Sequence, residues 1–330
     1  MGDRCEPVPR GEIHVTATAD QIAEQILSDM ELPTLSTVAS RLIQVVSDPE
    51  STVREIADII EMDPSLSMKL LRVANSAYFR RQTKATTIER AAVTLGSNYL
   101  KVVALGFQFS KAFEGVNGKG FDQGEFWRDS LLRACMARRL AGLDCPAVRE
   151  EAFLVGLLQD LGIPVLARHF QCDYIEVFER ARGCRGRLSA EETAEFEINH
   201  IHVVKRLCKT WSIPARISRP IERHHAQPIT HRTQDENLKL WQYAYFVSAI
   251  PFSNEDEPEP IDNSLRGMAA VAFGMDLADL NDLFDATLGE FDAIKEIFDD
   301  TLPEDCQAEL LLQQAAALIE AMGLDVPPTD

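Results

Sequence analysis

From Asp20 onward, apolar residues recur at three- and four-residue intervals between capping residues and prolines, so the chain reads as a succession of helices. Ile22, Ile26, Leu27 and Met30 share one face before Pro33, and Leu35, Val38, Leu42, Val45 and Val46 define a second helix ending at Asp48-Pro49. Thr52 with Glu55 predicts a capping box, Asp63-Pro64 an N-cap followed by a first-turn proline, and Thr86 with Glu89 another start that Gly96 closes. SNYLKVVALGFQFSKAF continues as a sixth helix, and Phe126, Leu131, Ala134, Ala137 and Leu140 mark a long one after the glycine-rich break GVNGKG at 115–120. A helix over roughly 149–168 contains AFLVGLLQDLG, 152–162, one of the most apolar stretches of the chain, with polar Gln159-Asp160 set inside it. Ser189 with Glu192 is read as capping a helix toward Trp211, Pro214 as beginning one that ends at His224-His225, and 238–252 as amphipathic and aromatic-rich. No segment alternates with a period of two, so the fold class is all-α, a multi-helix bundle.

The break at 115–120 predicts two helical subdomains, about 20–114 and about 122–252, with a cleft between them as the expected binding surface. Residues 1–19 read as a flexible leader and NEDEPEP, 254–260, as a linker or long loop. Beyond it, Leu277 to Ile297 and Leu310 to Leu318 keep helical spacing, an acidic helical extension over 253–330 expected to pack on the second subdomain. That extension holds 20 of the 52 acidic residues and 2 of the 33 basic ones, a net −18 out of −19. Such a surface repels phosphate backbones, which disfavours direct nucleic-acid binding. No signal peptide or long uncharged apolar segment is seen, so a cytoplasmic protein without membrane contact is expected. The seven cysteines form no CxxC pair, and free thiols are expected.

Candidate chemistry centres on Asp160. An ionised carboxylate on an apolar helix needs a donor, a cation or a metal, since burying it alone costs several kcal/mol. Asp129 in FWRDS, His202 in INHIHVV and the pair His224-His225 are the groups that could converge on it. Each has a plainer reading: a surface acid, a satisfied half-buried histidine, cations near a helix C-terminus. His200 and His202 stand two residues apart, on different helix faces, and make no local metal pair. Arg180, Arg182, Arg185 and Arg187 could receive a phosphate or an acidic partner, although such runs are more often solvated loop.

LPTLSTVASRLIQVVSDPESTVREIADIIEMDPSLSMKLLRVANSAYF, 32–79, resembles the opening of the HDOD domain, a bacterial all-helical signalling domain similar to HD metal phosphohydrolases. The resemblance continues through TTIERAAVTLG, FWRDS, EEAFLVGLLQDLG, HVV and WSIPARISRPIERHH, over roughly 31–225. It implies an HD-like site at Asp129, Gln159, Asp160, His202 and His225, with Asp129 and Gln159 standing where the family places histidines. Gln159 offers only a neutral amide oxygen, so the site is expected to be degenerate and to hold no metal; any ion would rest on Asp129, Asp160, His202 and His225.

Three readings follow. The first is a non-catalytic signal-transduction scaffold, a stand-alone copy working through partner proteins of two-component or cyclic-dinucleotide pathways. The second is a metal-dependent phosphohydrolase acting on a nucleotide or cyclic dinucleotide. The third is a sensor that binds a small nucleotide ligand without hydrolysing it.

Overall fold

The computed structural model describes residues 18–321 except 31–33, 47, 49, 80–82, 117, 119–120, 182–184, 229–230, 251–267, 299–301 and 304–305. Most of residues 1–19, the segment 254–260, the last residues and Arg182 therefore lie outside the described residues. Among those described there is no strand, and the chain is all-α.

Helices α1 (Ala19–Asp29), α2 (Thr37–Val46), α3 (Val53–Ile60), α4 (Pro64–Ala74), α5 (Ile88–Leu95) and α6 (Ser97–Ala112) form the front part. The Thr52 hydroxyl accepts the Glu55 N–H, the N-cap half of the expected capping box, and the Asp63 carboxylate accepts those of Ser65 and Leu66 as an N-cap does. The fifth helix is capped by Thr87, one residue later than expected, because its hydroxyl accepts the Arg90 N–H. Helix α1 packs chiefly on a later helix, with Asp20 and Glu24 paired to Lys205 and Arg206.

Helix α7 (Gln123–Asp144) turns back through Pro146–Val148 into α8 (Arg149–Leu158), the most closely packed pair in the molecule. A Cβ on Gly156 would fall 2.7 Å from the Arg133 carbonyl, so only glycine permits this approach. The expected single helix over 149–168 is in fact two, because the chain turns at Gln159–Leu161 and restarts as α9 (Gly162–Phe170). This apolar run is long enough to span a membrane by composition, but most of it is buried inside the fold.

Helices α10 (Cys172–Ala181), α11 (Arg185–Phe196), α12 (His200–Thr210), α13 (Ala215–Ile221) and α14 (Glu236–Ser248) complete the second part. The cap expected at Ser189 is a correction: α11 already begins at Arg185, so Ser189 lies within it and Glu192 is free to point inward. Cys172 is disulfide-bonded, against the expectation of free thiols, since a single bridge carries no spacing signature; Cys135, Cys145, Cys208 and Cys306 are free.

Helices α15 (Leu277–Ile294) and α16 (Ala308–Ala321) follow. Glu290 of α15 is fully buried and receives Arg138 Nη1 at 3.1 Å, Arg139 Nε at 2.5 Å and the Tyr99 hydroxyl at 2.7 Å. Arg138 also reaches Glu150 of α8 at 2.9 Å and stacks over the Tyr99 ring at 3.8 Å. Burial alone would pull the Arg138 guanidinium down, but Glu290, Tyr99 and Glu150 outweigh it and hold it above the ordinary arginine value. One carboxylate thus joins α6, α7 and α15. Glu290→Ala should destabilise the protein by about 3–5 kcal/mol, because it leaves buried guanidinium charge unmatched. Urea unfolding checks this, and a midpoint within error of wild type would show that the C-terminal helices are held by apolar contacts alone.

Candidate metal centre

The helix end after Leu158 puts Asp160 at a turn, fully buried, where helix ends converge on it. Asn199 caps α12 by accepting the Ile201 and His202 N–H groups, which makes His200 the first helical residue. His200 shares a face with Val203, Val204 and Leu207, all buried, and its imidazole points inward with them. Helix α13 ends at Ile221, and the following turns carry His224 and His225. One ligand atom from each of Asp160, His200, His224 and His225 lies within 4.8 Å of all the others.

Hydrogen bonds fix which ring nitrogens face the centre. Glu192 Oε2 accepts both the His200 backbone N–H at 2.9 Å and its Nδ1–H at 2.6 Å. The Tyr174 hydroxyl donates to the other Glu192 oxygen at 2.5 Å. The Ile221 carbonyl accepts from His224 Nδ1 at 2.7 Å. Because carboxylate and carbonyl oxygens can only accept, Nδ1 is the donor on both rings, and in the neutral rings Nε2 presents a lone pair inward. His200 Nε2 stands 3.4 Å from His224 Nε2 and 3.1 Å from His225 Nε2. Asp160 Oδ1 is 3.4 Å from His224 Nε2 and 3.8 Å from His200 Nε2. Arg133 Nε lies 4.0 Å from the second Asp160 oxygen.

Three imidazoles and a carboxylate this close repel one another unless positive charge lies between them, supplied by protons or by a metal ion. The spacing suits a metal. Nitrogen and oxygen ligands at the usual zinc distances would stand about 3.3–3.4 Å apart around a tetrahedron. The support is also of the usual kind, with ligand histidines oriented by a carboxylate and a backbone carbonyl.

Of the residues singled out in the sequence, Asp160, His224 and His225 belong to this cluster. His202 does not, since its Nδ1 accepts the Asn199 N–H at 3.4 Å in a capping box, and burial lowers its pKa. Asp129 accepts from Arg128 Nε at 2.9 Å on α7, and buried Gln159 supplies none of the four ligand atoms. The expectation of no metal rested on those two positions, and the four atoms that could hold an ion belong to other residues. His200 is missing from the expected set, although it is in register with Val203 and Leu207 and His202 is not. Among the arginines, Arg180 pairs with Glu191 and Glu195, and Arg187 is exposed. Nothing is described of the Arg185 side chain.

A family model for the HDOD domain matches residues 32–227. An uncharacterized protein of Treponema pallidum (strain Nichols) is 22% identical over 266 residues, 78% of this chain and 50% of its own length. YuxH of Bacillus subtilis (strain 168) is 28% identical over 118 residues, 36% of this chain and 28% of its own. The chain therefore spans about half the length of the first of these relatives and under a third of the second. Among solved structures, an HDOD domain protein of unknown function from Geobacter sulfurreducens superposes with a TM-score of 0.64 at 18% identity, over 94% of this chain and 99% of that one. A Shewanella amazonensis SB2B protein provisionally assigned as a phosphohydrolase gives 0.61 at 21% identity, over 85% and 98%. A Marinobacter aquaeolei VT8 protein provisionally assigned to signal transduction gives 0.57 at 18%, over 93% and 62%. At these identities the likeness is one of fold.

The position of His200 depends on Gly162, where a Cβ would fall 2.1 Å from the His200 carbonyl oxygen. Gly162→Ala should force α9 and α12 apart and cost about 1–3 kcal/mol. Thermal unfolding, with the histidine ring resonances as a second readout, tests this; unchanged stability and unchanged resonances would mean that the approach is slack.

Proposed function

Since this chain belongs to the HDOD domain family, we propose that it is a signal-transduction module whose remodelled HD-like site holds one divalent transition ion as a structural pin, without hydrolysing a substrate. The observation that carries this reading is the convergence of three imidazole Nε2 atoms and the Asp160 carboxylate. Pairs stand 3.1 Å, 3.4 Å and 3.8 Å apart and all four atoms lie within 4.8 Å, near the spacing of ligands around a tetrahedral ion. Four protein ligands complete a tetrahedral sphere, whereas a hydrolytic ion keeps a position open for water. Three of the four are fully buried, which leaves little room for a phosphoester. Imidazole-rich sites favour zinc and its neighbours over magnesium. The ion would supply positive charge that ties together the α8–α9 turn, the start of α12 and the turns after α13. Output would then pass through partner proteins that contact the helical surface, in two-component or cyclic-dinucleotide pathways.

One observation favours the hydrolytic alternative. His225 is only partly buried, so it is the ligand best able to leave and open a position for water. In that case Asp160, His200 and His224 would keep the ion.

Elemental analysis of protein purified without chelators or metal-affinity columns should give about one zinc-class ion per chain. His200→Ala and Asp160→Ala should lose it. Glu192→Gln should retain the fold and bind the ion about 10–100-fold more weakly, because the amide supports the imidazole less well than the carboxylate does. Metal-free protein whose stability is unaffected by added zinc would refute the pin. Metal-dependent turnover of nucleotides or cyclic dinucleotides that His200→Ala abolishes would replace it with the hydrolytic reading.

A further inference from the structure

Two of the three clustered imidazoles hang on a turn rather than on a helix. The regular helical ladder of α13 stops at the Glu222 N–H, which is donated to the Ser218 carbonyl. Beyond it the chain turns, and the Ala226 N–H reaches back to the Arg223 carbonyl at 2.8 Å. A segment without the ladder needs other groups to fix its backbone against the entropy of a loop. Those groups come from α14. The Trp241 indole Nε1–H is shared between the Arg223 and Ala226 carbonyls, 3.0 Å from each, so one donor grips both ends of the stretch that contains His224 and His225. Ser248 Oγ donates to the His224 carbonyl at 2.9 Å, two turns further along the same face of α14. The guanidinium of exposed Arg223 lies 5.4 Å from the centre of the Trp241 ring, a cation–π contact that keeps the indole over the turn.

The two histidines of this turn are secured differently. His224 is fully buried, and its Nδ1–H is donated to the Ile221 carbonyl at 2.7 Å, so its ring is fixed against the end of α13. His225 is partly exposed and reaches 3.1 Å from His200 Nε2 from the outer corner of the turn. Its neighbour Ala226 is exposed, and the Ala226 carbonyl is one of the two that the indole holds. Slackening of the chain at Ala226 therefore displaces His225 before it displaces His224. Trp241 is itself partly exposed, so the grip on a buried cluster is applied from the surface of the molecule.

We propose that Trp241 is a positioning residue for the metal centre: its indole N–H keeps His225 at the ion, and so decides whether the ion has four protein ligands or three and an open position for water. The inference rests on the metal reading given above and extends it to what holds the coordination sphere closed. Hydrogen-bonded support behind a ligand is worth about 10–100-fold in metal affinity. Trp241 acts through the backbone rather than on the ring, which places it at the lower end of that range. Removing the N–H costs the fold little, because the Arg223 carbonyl keeps the Ala226 N–H and the exposed Ala226 residue leaves its carbonyl within reach of water.

The test is the zinc affinity of the full chain, by competition with a chromogenic chelator, for wild type, Trp241→Phe, His225→Ala and the double variant. Trp241→Phe keeps a ring beside Arg223 and removes the N–H, and it should bind zinc about tenfold more weakly while thermal unfolding of the metal-free protein is unchanged. Replacing Trp241 by benzothienylalanine, an isostere that lacks the N–H, should give the same loss. In the His225→Ala background the Trp241→Phe change should cost nothing further, because a residue that acts through a ligand has nothing to act on once that ligand is gone. Cobalt(II) gives an independent readout: the strong visible absorption of a four-coordinate ion should weaken in Trp241→Phe toward the spectrum of His225→Ala. Equal zinc affinity of wild type and the isostere would overturn the proposal and leave the metal reading intact. So would a loss that persists without His225. Wild-type protein that takes up no zinc would overturn the metal reading and this proposal with it.

Discussion

The second half of the molecule depends on one electrostatic demand, the placement of the Asp160 carboxylate inside an apolar fold. Helix α8 ends there, α9 begins two residues later, and α12 and the turns after α13 each deliver imidazole to the same point. Arg133 approaches from α7, with its Nε 4.0 Å from one Asp160 oxygen. The imidazole Nε2 atoms beside the carboxylate become favourable neighbours once a cation stands among them. Glu192 and the Ile221 carbonyl turn the rings so that the Nε2 lone pairs face inward. Without that orientation the same four residues would be an ordinary buried polar network.

A second constraint governs how the parts meet. Glu290 gathers Arg138, Arg139 and Tyr99 from helices that would otherwise pack only by shape. Arg138 carries the connection on to Glu150 in the first turn of α8. Helix α8 then runs about 15 Å to the turn that bears Asp160. The Glu290 interlock and the buried donor cluster thus sit at opposite ends of one rigid element. Close packing of that element on α7, which Gly156 makes possible, leaves it little freedom to bend between them.

Much of the architecture was legible in the sequence because caps and periodicity are local. Thr52 and Asp63 act where their neighbours predict, and the family motifs place the domain. The donor cluster was legible only in part. Asp160 announces itself as a carboxylate on an apolar stretch, but GLLQDLGI keeps helical spacing straight through the turn that splits α8 from α9. At 189–192 the S-x-x-E pattern mimics a capping box, whereas Glu192 serves a backbone amide and a ring eight residues away, a contact that depends on how α11 meets α12. The choice between His200 and His202 could have been made from the Asn199 cap and the phase of Val203 and Leu207. That phase was the unused signal.

The Glu290 interlock also bears on how the chain is made. Among the described residues, Glu290 is the carboxylate paired with Arg139, and it leaves the ribosome 151 residues later. At a synthesis rate of about 5–20 residues per second, that delay is roughly 8–30 s. For that interval α7 holds a guanidinium whose countercharge does not yet exist, and its packing against α6 cannot be completed. The contact of Glu290 with Tyr99 and Arg139 is therefore a late event in synthesis, timed by the acidic C-terminal segment. A chain cut short before that segment would leave Arg139 without the carboxylate that pairs with it and Tyr99 without its acceptor.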